Sequence, residues 1–214
     1  MEVTDLTKIN QPESRDKLER EQSGYSFYAY LSRMRYISRW GLMRNSVAEN
    51  IQEHSHEVAV LAHALALISQ KVFNNQTVSP ETCATAALFH DAGEIITGDL
   101  PTPIKYYSPE IRDAYKQVEA VASEKLLAML PEDLRDCYVP FLKEMDPEVR
   151  RFVKAADKLS AHIKCLEELK ASNHEFILAA RQTRQALDDM DMPEVRYFME
   201  HFLDSFTLTL DELK

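Results

Sequence analysis

The sequence predicts an all-α protein, and three observations carry this prediction. Apolar residues recur at helical spacing along most of the chain from Tyr25 onward. Several of these stretches begin with helix-capping residues, and no alternation of polar and apolar residues lasts long enough to indicate a strand. Only 4 of the 214 residues are glycine, which argues against a β-rich fold with many tight turns. At this length one domain is the default, and two small domains are the alternative.

Three helical stretches are predicted in the first half of the chain. Residues 27–37 place apolar and aromatic side chains at helical spacing, and residues 46–72 carry one continuous apolar stripe. A third helix is expected to begin after Ser79. Serine is a good N-cap, and Pro80 suits the first helical position, where its missing N–H costs nothing.

The second half of the chain is also predicted to be helical, after a proline-rich loop. Residues 97–109 contain three prolines in thirteen residues and form the least helical segment inside the domain. Loops of this length in compact domains are often functional. The helices expected beyond the loop cover roughly residues 109–130, a stretch beginning at Asp146–Pro147, residues 175–190 and residues 193–202.

Residues 1–23 differ in composition from the rest of the chain. They are polar, mixed in charge and free of aromatic residues. Such a segment cannot bury much apolar surface, so we expect a mobile extension or a peripheral helix outside the core. The predicted domain therefore comprises residues 24–214.

Composition excludes several classes of function. The formal net charge is −10 and the pI about 5.2, which disfavours binding to nucleic acid polymers and anionic membranes. No GxxxxGK[ST] or GxGxxG motif is present, so P-loop and dinucleotide-binding folds lack their main signature. Cys83, Cys137 and Cys165 form no CxxC pair and are expected to be free thiols. With no signal-peptide pattern, and with residues 58–69 as the longest uncharged apolar run, we expect a cytoplasmic protein.

Charge-capable side chains interrupt three of the predicted apolar faces. The stretch "ALFHDAGEIITGD" places His90 and Asp91 where an apolar helix ends. His54 lies near the start of another helix, and Asp157 lies beside the apolar stripe of a third. Burying such groups costs several kcal/mol unless hydrogen bonds, counter-charges or a metal ion satisfy them.

The residues alone leave the explanation of this pattern open. His54 could be a hydrogen-bonded core histidine, and Asp157 could form a buried salt bridge with Lys154 or Lys158. Adjacent residues on a helix point about 100° apart, so His90 and Asp91 meet one ion only at a favourable helix end. Periodicity therefore predicts no more than an all-α protein with a candidate site of histidine and aspartate ligands.

The motifs "EHS", "HD", "TGDLPTP" and "ADKL" occur in this order along the chain. The pattern His…His-Asp…Asp on successive helices resembles the HD-domain metal-dependent phosphohydrolases. Segments such as "KAADKLSAHIKCLEELKASNHEF" extend the resemblance to the bacterial 5′-deoxynucleotidases of the YfbR type over about residues 25–213. The resemblance implies an HD-domain helical bundle for residues 24–214 and says nothing about residues 1–23.

The resemblance also implies a metal site and two catalytic acids. It implies that four side chains bind one divalent ion. Co, Mn, Zn and Fe are the expected metals, because mixed imidazole and carboxylate ligands suit them. These ligands are His54, His90, Asp91 and Asp157. Glu94 and Asp99 match catalytic acid/base or water-positioning groups, and the division of these roles stays open. Without the resemblance, Glu94 would be interpreted as a solvated acid and Asp99 as a turn residue.

A substrate site is implied on the same grounds. Arg39 offers a bidentate fork to a phosphate, and Trp40 would wall off the position of a ribose 2′-hydroxyl. Thr102 and Lys105 are weaker candidates for the same site. The implied reaction is metal-dependent hydrolysis of deoxyribonucleoside 5′-monophosphates to deoxynucleoside and phosphate, selective against ribonucleotides and tolerant of the base.

Two other functions remain open at this stage. One is an HD-domain phosphohydrolase acting on another nucleotide phosphoester, and the other is a non-catalytic helical binding module stabilised by its metal. The family resemblance implies a homodimer. The C-terminal segment offers apolar residues that could serve either the core or a dimer interface: Tyr197, Phe198, Phe202, Phe206 and Leu208.

Overall fold

Helices account for almost all regular structure in this protein. The computed structural model describes residues 25–105 and 107–213, except the side chain of Thr102, and these residues contain no strand. An isolated antiparallel bridge joins Ser38 and Asn50. The all-α prediction is confirmed. In chain order the helices are α1 (Phe27–Leu31), α2 (Ile51–Lys71), α3 (Pro80–Phe89), α4 (Glu94–Thr97), α5 (Thr102–Lys105), α6 (Pro109–Ala128), α7 (Glu132–Leu142), α8 (Pro147–Lys170), α9 (Ile177–Asp189) and α10 (Pro193–His201).

The main core lies where α2, α3 and α8 pack against one another. Leu65 of α2, Ala86 of α3 and Phe152 of α8 are among its buried residues. Burying a leucine or phenylalanine side chain contributes roughly 1.5–3 kcal/mol, so this three-helix contact supplies much of the driving force for folding. Helix α9 packs on α8 and α10 on α2, which completes the bundle around the same core.

Each of the three central helices begins at a side-chain cap. The Asn50 carboxamide oxygen accepts hydrogen bonds at the start of α2, and Asp146 does the same for α8. The Ser79 hydroxyl accepts a hydrogen bond from the Thr82 N–H, which confirms the predicted start of α3. These caps satisfy N–H groups that have no partner inside the helix and fix where each helix begins.

Two regions differ from the sequence-based prediction. Residues 27–37 are not one helix, because α1 gives way at Ser32–Tyr36 to a 3-10 helix. Helix α7, which contains Pro140, was not predicted.

The proline-rich loop contains short helical turns that the sequence pattern did not indicate. Helix α4 ends at Gly98, whose φ of 74° suits glycine. Helix α5 forms a single turn in which Ile104 and Lys105 donate to the Pro101 carbonyl. The segment still runs over the surface between α3 and α6, so its description as a connecting loop holds.

The C-terminal aromatic residues mostly belong to the core. Phe198 is buried, and Tyr197 and Phe206 pack partly buried against the main core. Phe202 is 46% exposed and Leu208 40% exposed. Dimerisation through this segment stays a prediction.

Cys83 and Cys165 are buried, Cys137 is exposed, and all three are free thiols, as predicted. Within the described ranges, no helix has the length and apolarity needed to cross a bilayer.

Candidate metal and active site

The packing of α2, α3 and α8 brings together three residues that are far apart in the sequence. His54 lies in the first turns of α2, His90 directly follows α3, and Asp157 lies in the middle of α8. One ligand atom from each lies within 4.8 Å of the other two. The Asp157 Oδ1 atom is 3.1 Å from the His54 Nε2 atom. A cation at their centre would contact all three side chains.

Asp91, in the turn after α3, lies beside the two histidines of this cluster. Its Oδ2 atom lies 3.1 Å from the His90 Nε2 atom and 3.6 Å from the His54 Nε2 atom. The chain continues through tight turns at residues 90–93 rather than as a regular helix. This helix end gives His90 and Asp91 the favourable geometry that adjacent residues on one helix would lack.

Hydrogen bonds fix which nitrogen of each histidine faces the cluster. The His90 Nδ1 atom lies 2.6 Å from the Ala87 carbonyl oxygen, which only accepts, so Nδ1 donates. The His54 Nδ1 atom lies 3.0 Å from the Ser160 hydroxyl, and that hydroxyl donates to the Glu57 carboxylate at 2.5 Å. The hydroxyl oxygen must therefore accept a hydrogen bond from the His54 Nδ1–H group. Both Nε2 atoms are left pointing at the cluster.

Electrostatics in the cluster favours a cation. Burial lowers the pKa of His54, so its imidazole is neutral. Burial also disfavours the charged form of His90, but the Asp91 and Asp157 carboxylates outweigh it and raise the pKa of His90 to about 9. Burial works against both carboxylates as well, and the neighbouring histidines nevertheless lower the pKa of Asp91 and of Asp157.

The residues present fit a divalent metal ion. The Nε2 atoms of His54 and His90 are buried and have no hydrogen-bond partner among the described residues. The lone pair of a neutral imidazole facing a carboxylate is repulsive unless a proton or a metal ion lies between them. Two imidazoles and two carboxylates form the donor set that borderline divalent metals prefer. Asp157 forms no ion pair with Lys154 or Lys158 in the described part of the chain; its partners are His54 and Arg39.

The negative charge of Asp91 in the cluster acts on two further carboxyl groups, those of Glu94 and Asp99. Glu94 is the first residue of α4, and one of its carboxylate oxygens is buried and makes no hydrogen bond with any described residue. Burial, together with the charges of Asp91 and Asp99, raises the pKa of Glu94 to about 9. Burial likewise raises the pKa of Asp99, against the opposing effect of Arg39. Two carboxyl groups with raised pKa beside a cation site are suited to holding and moving protons.

Arg39 reaches the edge of the cluster, and Trp40 lies next to it. The Arg39 Nη2 atom is 3.9 Å from the Asp157 Oδ1 atom, and the Nη1 atom is 3.0 Å from the Glu49 Oε2 atom. The Trp40 indole N–H donates to the same Glu49 oxygen at 3.0 Å. The indole ring packs on Phe176, with ring centroids 5.3 Å apart.

A cavity of about 700 Å³ opens beside the cluster, between α6 and α8. His90, Asp91, Glu94 and Asp157 lie on its wall, and Lys105 lines it as well. The Lys105 ammonium forms an ion pair with Glu119 at 2.7 Å. The side chain of Thr102 lies outside the described residues. Arg39, Trp40 and Asp99 are not among the described residues that line this cavity.

Three residues of the site were missed by the sequence analysis: Glu49, Glu57 and Ser160. Glu57 follows His54 by three residues and Ser160 follows Asp157 by three, so each shares a helix face with a predicted ligand. A serine within the apolar stripe of α8 was the available signal for Ser160. Glu49 lies in an irregular segment with no periodicity, and the sequence offered no signal for it.

A helical bundle with two histidines and two aspartates converging from three helices, flanked by an arginine and two acids, defines a metal-dependent phosphohydrolase of the HD-domain class. A family model described as 5′-deoxynucleotidase YfbR-like matches residues 26–206. The chain belongs to this YfbR-like family.

Known proteins agree with this membership. A 5′-deoxynucleotidase from Vibrio parahaemolyticus is 50% identical over 189 residues, which cover 87% of this chain and 97% of that protein. The 5′-deoxynucleotidase YfbR of Shigella boydii is 48% identical over 87% of this chain and 94% of its own length.

Solved structures share the fold at lower identity. An HD-domain phosphohydrolase from Listeria innocua is 22% identical with a TM-score of 0.73, covering 85% of this chain and 88% of that one. The HD phosphohydrolase DatZ of cyanophage S-2L, solved with dA and one catalytic Zn²⁺ ion, is 22% identical with a TM-score of 0.57. It covers 83% of this chain and 96% of its own.

Proposed function

We propose that this protein hydrolyses deoxyribonucleoside 5′-monophosphates to the deoxynucleoside and inorganic phosphate in a metal-dependent reaction. The observation that carries the proposal is the convergence of four ligand side chains beside an acid and an arginine. Curated relatives at about 50% identity over most of the chain bear the name 5′-deoxynucleotidase, which supports the same activity here.

The metal would be held by His54, His90, Asp91 and Asp157. A divalent ion bound there supplies Lewis-acid activation of a phosphate oxygen and of the attacking water. Co, Mn, Zn and Fe are the candidates, because mixed nitrogen and oxygen ligation suits these ions. The Zn²⁺ in the cyanophage enzyme favours including zinc in the first trials.

Glu94 and Asp99 are proposed to move the protons of the reaction. One accepts a proton from the attacking water as oxygen bonds to phosphorus, and the other donates a proton to the departing 5′-oxygen. The raised pKa of Glu94, about 9, and the upward shift of the Asp99 pKa support this role, because a raised pKa makes a carboxyl group a better proton carrier. Variants of the two residues, assayed separately, decide how the roles divide.

Arg39 and Trp40 are proposed to recognise the substrate. The Arg39 guanidinium lies beside Asp157, within reach of a phosphate bound at the cluster, where it offsets the charge that develops in the transition state. Trp40 would pack against the sugar and leave a ribose 2′-hydroxyl without a partner, which favours 2′-deoxy substrates. Lys105, which lines the cavity beside the cluster, and Thr102 stay weaker candidates for substrate contact. We further expect the protein to be a cytoplasmic homodimer. Light scattering during gel filtration measures the mass of the particle and so tests the dimer.

Phosphate release from a panel of nucleotides tests the proposal. Chelator-stripped protein receives Co, Mn, Zn, Fe or Mg, and the substrates are dAMP, dCMP, dGMP, dTMP, dUMP and AMP. We expect release from the deoxynucleotides and little from AMP, and at least a hundredfold lower rate for Glu94→Gln. Equal rates on AMP would contradict the sugar selectivity. Metal binding without release from any of these esters would point to another phosphoester or to the non-catalytic binding module.

A further inference from the structure

Glu49 connects the two residues proposed to recognise the substrate. Its side chain is 13% exposed, and its Oε2 atom lies 3.0 Å from both Arg39 Nη1 and Trp40 Nε1. Both partners donate, so one carboxylate oxygen accepts two hydrogen bonds, one of them charge-assisted. Neither the family motifs nor the helical pattern marks this residue.

The backbone around Glu49 holds it in register with Arg39. The Arg39 N–H donates to the Glu49 carbonyl oxygen at 2.9 Å, and the Ile51 N–H donates to the Ile37 carbonyl oxygen at 3.0 Å. Asn50, the next residue, caps α2, the helix that carries His54. These backbone contacts tie Glu49 to the start of α2, which also carries the candidate metal ligand His54. They also fix the position of Arg39 relative to the cluster.

Trp40 adopts a conformation that needs external support. Its φ is 58°, a left-handed value that is unfavourable for a bulky residue. Such a conformation persists only where surrounding contacts hold it. For Trp40 these contacts are the indole hydrogen bond to Glu49, the packing on Phe176 and the hydrogen bond from the Met43 N–H to the Trp40 carbonyl.

Loss of the Glu49 carboxylate would change both neighbours in a defined way. The Arg39 guanidinium, already 3.9 Å from Asp157, would lose its other described partner and turn toward that metal ligand and away from a phosphate. The indole would lose its only described polar contact and gain freedom to rotate. An indole ring that can rotate no longer discriminates between a hydrogen and a hydroxyl group at the 2′-position of the sugar.

We propose that Glu49 is a positioning residue that sets selectivity between 2′-deoxy and 2′-hydroxy nucleotides by fixing Trp40 and Arg39 together. This inference rests on the proposed function, since it concerns the substrate preference of the same site. Selectivity then depends on a residue that touches neither the sugar nor the metal.

The experiment compares Glu49→Ala, Glu49→Gln and the control Glu53→Ala. Glu53 lies four residues further on, is exposed, and has no described side-chain partner. We expect Glu49→Ala to reduce the ratio of kcat/KM for dAMP over AMP about tenfold, the effect of one lost hydrogen bond to a charged group, mainly through KM for dAMP. Glu49→Gln keeps an acceptor oxygen at the same reach and should restore most of the ratio. Glu53→Ala should match the wild type.

Trp40 provides a readout that does not depend on turnover, because it is the only tryptophan in the chain. In Zn²⁺-loaded protein we expect Glu49→Ala to shift the emission to longer wavelength and to increase quenching by acrylamide. Titration with dAMP and AMP, followed by the same emission, gives the binding preference directly. Circular dichroism and metal content verify that each variant is folded and loaded; should Glu49→Ala not fold, Glu49→Asp replaces it, because the shorter side chain cannot reach both donors.

A wild-type dAMP-to-AMP ratio together with unchanged Trp40 emission in the folded variant would overturn the inference. Failure of the proposed function looks different, since the wild-type protein would then release no phosphate from any deoxynucleotide. In that case the emission and the nucleotide titrations still decide whether Glu49 holds Trp40.

Discussion

At the scale of single residues, the site depends on side chains that do not belong to the metal ligand set. Ser160 and Glu57 determine that His54 carries its proton on Nδ1 and presents Nε2 to the cluster. Such outer partners orient the imidazole and increase its basicity, and their loss typically weakens metal binding by about 10–100-fold. The Ala87 carbonyl oxygen orients the His90 ring in the same way, and no side-chain substitution can remove this backbone group.

Ser160→Ala should therefore bind the metal about tenfold more weakly or worse, because the His54 ring loses its orienting partner. Competition titration against a chelator of known affinity measures this change. Ser69→Ala is the matched control, since Ser69 is equally buried on α2 and donates at 2.8 Å to the Glu194 carboxylate. It lies fifteen residues from His54, about 22 Å along the helix. Equal metal affinity in both variants would contradict the prediction.

The protonation of His90 makes metal binding depend on pH. Without a metal, the surrounding carboxylates raise the pKa of His90 to about 9, so its imidazole is charged at neutral pH. Because a metal binds only the deprotonated form, binding must release a proton. The affinity should increase about tenfold per pH unit between pH 6 and pH 8 and level off near pH 9.

Calorimetry in buffers of different ionisation enthalpy measures this proton release. His54 adds little, since burial lowers its pKa and keeps it neutral over the same range. An affinity that does not change between pH 6 and pH 8 would show that His90 is already neutral before the metal arrives.

At the scale of elements, side chains of α8 hold residues 46–47, which follow Trp40, by hydrogen bonds. Glu168, near the end of α8, is buried and accepts hydrogen bonds from the Ser46 N–H at 2.8 Å and from the Asn173 side chain at 2.8 Å. Lys164 donates to Glu168 at 2.5 Å and to the Val47 carbonyl at 2.6 Å. The helix that carries the candidate ligand Asp157 thus also holds the backbone next to the residues proposed to bind the substrate.

Glu168→Gln should reduce the free energy of unfolding by about 3 kcal/mol at pH 7, because it leaves the Lys164 ammonium buried without its counter-charge. Burial disfavours the charged Glu168, but Lys164, Asn173 and Ser46 outweigh it and lower its pKa to about 2. A pKa below the value of about 4.3 in unfolded chains means that the carboxylate stabilises the fold above that pH. This stabilisation is lost as the pH falls toward 2.

Urea denaturation at several pH values tests this prediction. The difference between wild type and Glu168→Gln should be largest above pH 5 and shrink steadily toward pH 3. Glu167→Gln, an exposed neighbour on the same helix, should cost less than about 0.5 kcal/mol at every pH. A difference that is constant with pH would contradict the role of the carboxylate charge.

Elements differ in how well the sequence predicted them. Strong caps such as Ser79 and Asp146, followed by a long apolar stripe, identified α3 and α8 correctly. Helix α7 was not predicted; it contains Pro140, which disfavours a helix interior, and none of its residues is fully buried. Within the site, ligand roles came from motif resemblance, because helical periodicity cannot show that residues 36 and 66 positions apart meet at one point. Glu49 could not be predicted, since its role depends on a tertiary contact from an irregular segment.

At the scale of the whole molecule, the candidate metal links the three helices that form the core. A ligand that binds only the folded state stabilises it by about 2.7 kcal/mol at a hundredfold excess over its Kd. For a domain of this size, each kcal/mol shifts Tm by about 2–4 °C. Removing the metal with a chelator should therefore lower Tm by about 5–10 °C, as measured by circular dichroism.

The variant Asp157→Asn tests whether this shift comes from the proposed site. It removes one carboxylate while keeping the size of the side chain, so its Tm should no longer respond to the chelator. A metal-dependent Tm that survives in Asp157→Asn would place the stabilising ion elsewhere in the chain.

The spread of the ligands over α2, the end of α3 and α8 also bears on the order of events during folding. In the unfolded chain only His90 and Asp91 are neighbours, and a two-ligand pair holds a metal weakly. Bringing Asp157 to this pair requires closing a loop of more than sixty residues, with an entropic cost that only core packing repays. We therefore expect the site to be completed when α8 docks, so that metal binding follows folding. We expect a newly synthesised chain to bind metal only weakly until α8 has docked.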